Sequence, residues 1–163
     1  MNICMARIDD RLIHGQVVLG CCEALHAARL VLLNDAVAED RLQTRIYKSA
    51  VPPGIECEIL GLESGAAYLR SCDDARPTVV VVGSPLDMAT LLRLGTGFDE
   101  VFVGGLHRSE GRTQELDSTG VFVGKEDRQA LASIRRAGVQ VRVQSVPGAP
   151  AVDLDSLLQI EEP

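Results

Sequence analysis

The chain has 163 residues, of which 46% are hydrophobic and 24% are charged, a balance typical of a globular protein with its own core. It contains no Trp and only 3% aromatic residues, so the core is predicted to be aliphatic and platforms for stacking nucleic-acid bases are missing. The net charge of −7 argues against nucleic acids and anionic membrane surfaces as partners, because both are bound through clustered Lys and Arg.

Short apolar runs alternate with longer helical patterns along the chain, and this alternation predicts an α/β fold of βαβ units around a parallel sheet. In the first half the predicted elements are, in chain order, a strand at residues 2–8, a helix at 16–26, a strand at 29–33, a helix at 37–50, a strand at 56–60 and a helix at 63–72. The segment Pro52, Pro53 and Gly54 is predicted to end the second helix.

The second half continues the alternation and fits one domain over residues 1–163. Its predicted elements are a strand at 78–82, a helix from Pro85 to Gly95 or Gly97, a strand at 100–103, a small extra strand at 120–123, a helix at 125–137, a strand at 139–143 and an acidic tail helix at 153–159. The β-branched run at 78–82 is expected to be a central buried strand. Gly104 and Gly105 are expected to break the strand that precedes them.

Neither a membrane span nor a disulfide framework is indicated. The apolar runs are far shorter than the roughly 20 residues that cross a bilayer, and charges from Arg7 onward come too early for a signal peptide, so a cytoplasmic protein is predicted. The odd number of cysteines without CxxC pairs indicates reduced core thiols, and neither a metal site nor a cofactor is predicted. These cysteines are Cys4, Cys21, Cys22, Cys57 and Cys72.

The most informative segment is residues 7–17, with the sequence RIDDRLIHGQV, because it places His14 at a strand-to-helix turn. Such turns form the ligand crevice of open α/β folds, and the first backbone N–H groups of the next helix, here at Gly15 and Gln16, are free to bind anions. An imidazole near neutral pH can be an unprotonated nucleophile, and the planar fork of Arg11 suits phosphoryl oxygens. The segment therefore predicts a phosphoryl acceptor at His14 with Arg11 beside it.

The residues alone leave alternatives open. Asp9 and Asp10 would repel phosphate, so their expected roles are to bond loop amides, to hold Arg11 or to fix the tautomer of His14, and which carboxylate does which is undetermined. They could also simply form and cap the turn, Arg11 could be a solvated surface charge, and a single loop histidine is often not catalytic.

The segment closely resembles the active-site signature of the mannose-fructose-sorbose family of IIB subunits in the bacterial phosphoenolpyruvate-dependent sugar phosphotransferase system. The resemblance continues through residues 34–38, 50–54, 84–85 and 103–105 and the basic segment around Arg112, so it covers essentially the whole chain. It implies a three-layer αβα sandwich with a mainly parallel open sheet of order 3-2-4-1-5-6. That order would bring the loops after strands one, four and five together.

The resemblance also implies a function. His14 would be the phosphorylated histidine, which receives phosphate from a IIA phosphohistidine and passes it to a sugar translocated by membrane IIC and IID subunits, and Arg11 would contact the phosphate. The protein would be a transferase, cytoplasmic and peripherally associated with the membrane transporter. A regulatory phosphocarrier without sugar transport is an alternative, as is a non-catalytic small-molecule binding module. The sugar and a homodimer remain open.

Residues from the other two loops would become neighbours of His14. Ser84 could donate its hydroxyl to phosphate or cap the helix at Pro85, or do both. Gly104 and Gly105 could permit close approach of a partner or phosphate, although a turn with positive φ is favoured. Arg108 and Arg112 are predicted to form a basic face for an acidic IIA surface, against the alternative of a solvated loop. Two further histidines, His26 and His107, are assigned no catalytic role.

Overall fold

A computed structural model describes residues 1–158 and shows an α/β fold, with a mainly parallel sheet and helices on both of its faces. The strands are β1 (Asn2–Asp9), β2 (Arg29–Leu33), β3 (Glu56–Leu60), β4 (Pro77–Val82), β5 (Glu100–Gly105), β6 (Gln114–Glu115), β7 (Phe122–Val123), β8 (Gln140–Val143) and β9 (Val152–Asp153). The helices are a π-helix (Gln16–Glu23), α1 (Asp35–Glu39), α2 (Arg41–Ser49), α3 (Leu62–Ser71), α4 (Pro85–Arg93), α5 (Lys125–Arg136) and α6 (Leu154–Leu158).

The main sheet has the order β3-β2-β4-β1-β5-β8-β9. All neighbouring strands in it are parallel except β8 and β9, which are antiparallel. The predicted order 3-2-4-1-5-6 is confirmed, because β8 is the sixth strand of that prediction and β9 only extends the edge. The small extra strand predicted at 120–123 is shorter and pairs with β6 in a separate two-stranded sheet.

The core lies in two layers, one on each face of the sheet. One contains apolar residues of α3, α4 and α5, and the other contains those of the π-helix and α1. The run Val79, Val80, Val81 and Val82 of β4 has no exposed surface, as expected of a central strand covered on both faces. The loops after β1, β4 and β5 therefore lie together at the carboxyl ends of the strands, since these three strands are parallel neighbours.

Two helix predictions need correction. The helix predicted at 37–50 is divided into α1 and α2, because Asp40 is extended (φ −96°, ψ 104°) and its side chain accepts the N–H groups of Leu42 and Gln43 as a new N-cap. The helix predicted at 16–26 is a π-helix that ends at Glu23, and His26 beyond it has φ +50°.

The tail helix also begins later than predicted. Residues Val152–Asp153 form strand β9 against β8, and α6 follows over Leu154–Leu158. Leu154 is fully buried in the core, so this segment packs on the sheet as expected. Gln159 lies outside the described residues.

The glycines at the end of β5 do not break the strand, which runs to Gly105. Neither Gly104 nor Gly105 has a positive φ, so the favoured explanation of a turn is wrong. A Cβ on Gly104 would overlap the guanidinium of Arg7, and one on Gly105 would lie 3.1 Å from Oδ1 of Asp9. The two glycines therefore make room for buried polar side chains of the neighbouring strand β1.

Candidate functional site

The loop after β1, residues 10–15, is fixed to its surroundings by backbone hydrogen bonds. The N–H of Asp10 donates to the carbonyl of Gly105 at the end of β5 (2.9 Å), and the N–H of Leu12 donates to the carbonyl of Asp9 (3.0 Å). Leu12 has φ +58°, a turn conformation that few non-glycine residues adopt. Its Cδ2 would lie 3.1 Å from a Cβ on Gly83, so the loop after β4 lies directly against this loop.

A buried ion pair underlies the loop. Arg7 and Asp9 are both completely buried, and Oδ2 of Asp9 accepts Nη2 of Arg7 at 2.8 Å and Nε at 3.2 Å. Nη1 of Arg7 also donates to the carbonyl of Gln144 (3.4 Å). Oδ1 of Asp9 accepts the backbone N–H of Arg11 at 3.2 Å. Because both its oxygens are held, Asp9 is a fixed negative charge beneath the loop.

The imidazole of His14 lies between the loop backbone and this carboxylate. Its Nδ1 is 3.1 Å from the carbonyl of Leu12, a contact that is a hydrogen bond when Nδ1 carries the ring proton. Its Nε2 is 3.8 Å from Oδ2 of Asp9, is buried and has no hydrogen-bond partner within residues 1–158. About 19% of the side chain remains exposed. The ring is therefore held in place with a carboxylate facing its inner nitrogen.

Arg11 reaches from the same loop toward solvent, with 45% of its side chain exposed. Its Nη2 donates to Oε1 of Gln16 at 2.8 Å, and its Nε lies 3.8 Å from Oδ1 of Asp9. Gln16 begins the π-helix, and Gly15 between it and His14 has open space around its Cβ position. The structure thus brings His14, Arg11, Asp9 and Gln16 into one loop cluster.

Asp10 has a different role from Asp9. Its Oδ2 accepts the backbone N–H of His107 at 2.6 Å, its Oδ1 is 2.6 Å from Nδ1 of the same histidine, and Nη1 of Arg112 is 3.6 Å from Oδ2. Asp9 bonds the Arg11 amide and lies 3.8 Å from the imidazole of His14, whereas Asp10 ties the loop after β5 to the loop after β1.

The residues predicted to bind a partner differ in their solvent exposure and in the contacts that they make. Arg112 is 20% exposed and forms a two-pronged pair with Asp127 at the start of α5, at 2.9 and 3.0 Å. Arg112 therefore joins the loop after β5 to helix α5. Arg108 is exposed. Gly104 is half-buried and Gly105 is buried, and both are occupied by the packing of β1.

Ser84 caps α4, because its Oγ accepts the N–H of Asp87 at 3.1 Å. The capping interpretation is thereby confirmed, and a bond to phosphate stays a prediction. Burial raises the pKa of the Asp87 carboxyl, and the nearby Asp35 acts in the same direction. The edge beside Ser84 thus already carries carboxylates, which disfavours a second anion site there.

Two of the five cysteines, Cys21 and Cys22, are core thiols as predicted, whereas Cys4, Cys57 and Cys72 are half-buried. Cys21 and Cys22 lie on the buried face of the π-helix, and burial raises the pKa of Cys22 to about 12 and that of Cys57 to about 11. At neutral pH these thiols are protonated and are poor nucleophiles. Within the described residues, side chains are not grouped as a metal site would require, and no helix is long and apolar enough to span a bilayer.

Sequence reasoning missed Arg7, which holds the carboxylate beneath His14. The signal was present, since residues i and i+2 of a strand lie on the same face and an Arg-x-Asp pair in an apolar strand indicates a buried ion pair. The two consecutive glycines of β5 belong to the same signal, because they leave room for the side chains of this ion pair.

Fold and site together define an α/β protein with a histidine beside a buried carboxylate at the carboxyl ends of parallel strands. Residues 3–163 match the family described as PTS system sorbose subfamily IIB component, and the chain belongs to this family. Members of the family are phosphotransferases that act in sugar uptake and work with IIA and membrane IIC and IID components. The regulatory and binding-module alternatives are not favoured.

Individual relatives agree with this assignment. The chain is 34% identical to the N-acetylgalactosamine-specific phosphotransferase enzyme IIB component 2 of Escherichia coli (strain K12), over 96% of this chain and 99% of the relative. It is 30% identical to the PTS system sorbose-specific EIIB component of Klebsiella pneumoniae, over 94% and 93%. The crystal structure of the IIBSor domain of the Klebsiella pneumoniae sorbose permease superposes with a TM-score of 0.88 at 29% identity, covering 99% of both chains.

Proposed function

We propose that His14 is the residue that carries the phosphoryl group, taking it from a phosphohistidine of a IIA component and giving it to a sugar. The observation that carries this proposal is the imidazole of His14 set between the Leu12 carbonyl and the buried Asp9 carboxylate. Residues 1–163 would act as a single IIB domain. In the first step the P–N bond to the donor histidine breaks as a P–N bond to His14 forms.

The accepting atom is Nδ1. Nε2 is buried against Asp9, so a donor cannot reach it without rebuilding the site. Nδ1 needs only to leave the Leu12 carbonyl, and its lone pair is free once the ring proton resides on Nε2. A carboxylate 3.8 Å from Nε2 favours that tautomer and balances the positive charge of a phosphorylated ring.

Arg11 stabilises the phosphoryl group during transfer. Its guanidinium is anchored by Gln16 and Asp9 yet keeps 45% of its side chain exposed, so it can turn to an incoming group. A planar fork bonds two phosphoryl oxygens at once, and charge on those oxygens dominates a loose transition state. The free N–H groups at Gly15 and Gln16, where the π-helix begins, add to this environment. Ser84 is a weaker candidate contact, because two carboxylates lie beside it.

The partners follow from the family to which the chain belongs. A IIA component supplies the phosphoryl group, and IIC and IID components present the sugar, so the chain would work in the cytoplasm at the membrane transporter. Arg108 is the exposed basic candidate for IIA binding, and Arg112, which is paired with Asp127, is the less exposed one. The mannose-specific EIIAB component of Escherichia coli (strain K12) is 28% identical over 97% of this chain, which spans 49% of that relative. N-acetylgalactosamine and sorbose, named in the two relatives above, are the first sugars to test.

The carrier role is tested by incubating the chain with phosphoenolpyruvate, the general phosphotransferase proteins and IIA. We expect acid-labile phosphate on the wild type and none on His14→Gln. His26→Asn is the matched control, because His26 is exposed, distant in sequence from the signature loop, and has a φ of +50° that Asn tolerates. Full labelling of His14→Gln, or loss of label in His26→Asn alone, would refute the assignment.

Transport is tested separately by adding membranes that contain IIC and IID. We expect the label to move from His14 to sugar, because a transporter subunit must discharge its phosphate. A chain that keeps its label under these conditions, while labelling normally, would be a regulatory carrier.

Arg11→Lys is expected to slow labelling of His14 about tenfold or more, since a lysine keeps the charge but loses the two-pronged geometry. Stability should be unchanged, because this side chain is half exposed. Quench-flow labelling and thermal unfolding measure the two effects. Arg41→Lys on the exposed surface of α2 is the control, and equal rates for all three proteins would contradict the role given to Arg11.

A further inference from the structure

His107 lies in the loop after β5 and contacts Asp10 twice. Its backbone N–H donates to Oδ2 of Asp10 at 2.6 Å, and its ring Nδ1 is 2.6 Å from Oδ1 of the same carboxylate. When Nδ1 carries a proton, the second contact is a hydrogen bond to an ionised acceptor, which is shorter and stronger than a neutral one. The transfer step proposed for His14 uses neither of these side chains.

Asp10 belongs to the same short loop as His14. It directly follows Asp9, and its own N–H is bonded to the carbonyl of Gly105 at 2.9 Å, which fixes its place beside the end of β5. A phosphoryl group carries close to two negative charges near neutral pH, and charges interact over about 8–10 Å at physiological salt. A carboxylate at position 10 that lacked a compensating group would therefore oppose phosphorylation of His14.

Two basic side chains face the Asp10 carboxylate. Nη1 of Arg112 is 3.6 Å from Oδ2, but the same guanidinium is bonded to both oxygens of Asp127, at 2.9 and 3.0 Å, so its charge is already balanced. His107 is half exposed and forms no other ion pair within residues 1–158. Its imidazole is thus the group that is given over to Asp10.

We propose that His107 is a positioning residue for phosphoryl transfer, which holds the Asp10 carboxylate toward the loop after β5 and compensates its charge. This rests on the proposed function of His14. Only the phosphorylated chain carries the added negative charge, so the compensation stabilises that form more than the free form. His107 is then needed only while residue 10 is a carboxylate.

The test measures the equilibrium constant for phosphoryl transfer from IIA to the chain, from the phosphorylated and free amounts of both proteins after mixing. This constant compares separated proteins, so a change in docking does not alter it. His107→Ala is expected to lower it about fivefold, because the backbone bond to Asp10 stays and the imidazole is lost. In an Asp10→Asn background the same change should alter it less than twofold, since no carboxylate then needs compensation.

Arg142→Ala is the matched control, because Arg142 pairs at 2.6 Å with Glu100, which begins β5 at the end away from His107. It also removes a partly exposed basic side chain, and the constant should stay within twofold of wild type. Thermal unfolding shows that each variant is folded.

The outcomes separate this proposal from the one on which it rests. If the wild type takes no phosphate at His14, the carrier function itself fails. If the wild type is phosphorylated but His107→Ala keeps the wild-type constant, or Arg142→Ala lowers it equally, the role of His107 alone is refuted. An equal loss with Asp10 and with Asn at position 10 also refutes it, because the imidazole would then act independently of the carboxylate.

Discussion

Replacing Asp9 by alanine is expected to lower the free energy of unfolding by about 3–5 kcal/mol and to slow labelling of His14 strongly. The stability is lost because Arg7 is completely buried and would keep a charge without its carboxylate partner. The activity is lost because nothing would then favour a proton on Nε2 of His14. Urea denaturation and the labelling rate measure the two effects.

A double variant separates the two roles of Asp9. Combining Arg7→Met with Asp9→Leu removes both charges and replaces them with apolar groups of similar length, which is often close to neutral for a buried ion pair. We expect stability to return toward that of the wild type while labelling stays slow. Wild-type stability of Asp9→Ala, or a wild-type labelling rate in the double variant, would contradict the role given to this pair.

Gly104→Ala is expected to destabilise the protein by about 3 kcal/mol, because the new methyl group would overlap the buried guanidinium of Arg7. Arg7 has little freedom to move, since Asp9 and the carbonyl of Gln144 hold it. The shift that it is forced to make should also slow labelling of His14. Chemical denaturation together with the labelling rate tests both expectations.

Gly97→Ala is the matched control for this substitution. Gly97 lies in a loop, has no positive φ, and has no atom within 4 Å of its Cβ position among those described. Its replacement should leave stability within about 0.5 kcal/mol of the wild type. If Gly104→Ala is equally harmless, Arg7 does not occupy the position assigned to it.

Much of the sheet could be predicted from the sequence, because buried parallel strands are short continuous apolar runs such as 78–82. The strand order could not be read from those runs and came from the resemblance. The helix at 37–50 was predicted as one element because apolar periodicity continues through it. Asp40 ends α1 by accepting two backbone N–H groups, a local bond that competes with helix continuation and that periodicity does not register.

The sequence alone predicts the chemistry proposed for the site, but it does not indicate which contacts the two carboxylates make. His14 and Arg11 are recognisable from one loop, whereas the different roles of Asp9 and Asp10 depend on contacts from distant parts of the chain. Asp10 meets His107 in the loop after β5, and Gly104 is small because Arg7 fills the space beside it. Neither contact is implied by spacing along the sequence, because both depend on which strands become neighbours.

The most direct test of the account identifies the phosphorylated atom. The chain is labelled with ¹⁵N in its histidines, phosphorylated through IIA and studied by heteronuclear NMR, which distinguishes the two ring nitrogens of each histidine. The account predicts phosphate on Nδ1 of His14 with a proton on Nε2, facing Asp9. Phosphate on Nε2 of His14, or on any other residue, would contradict it.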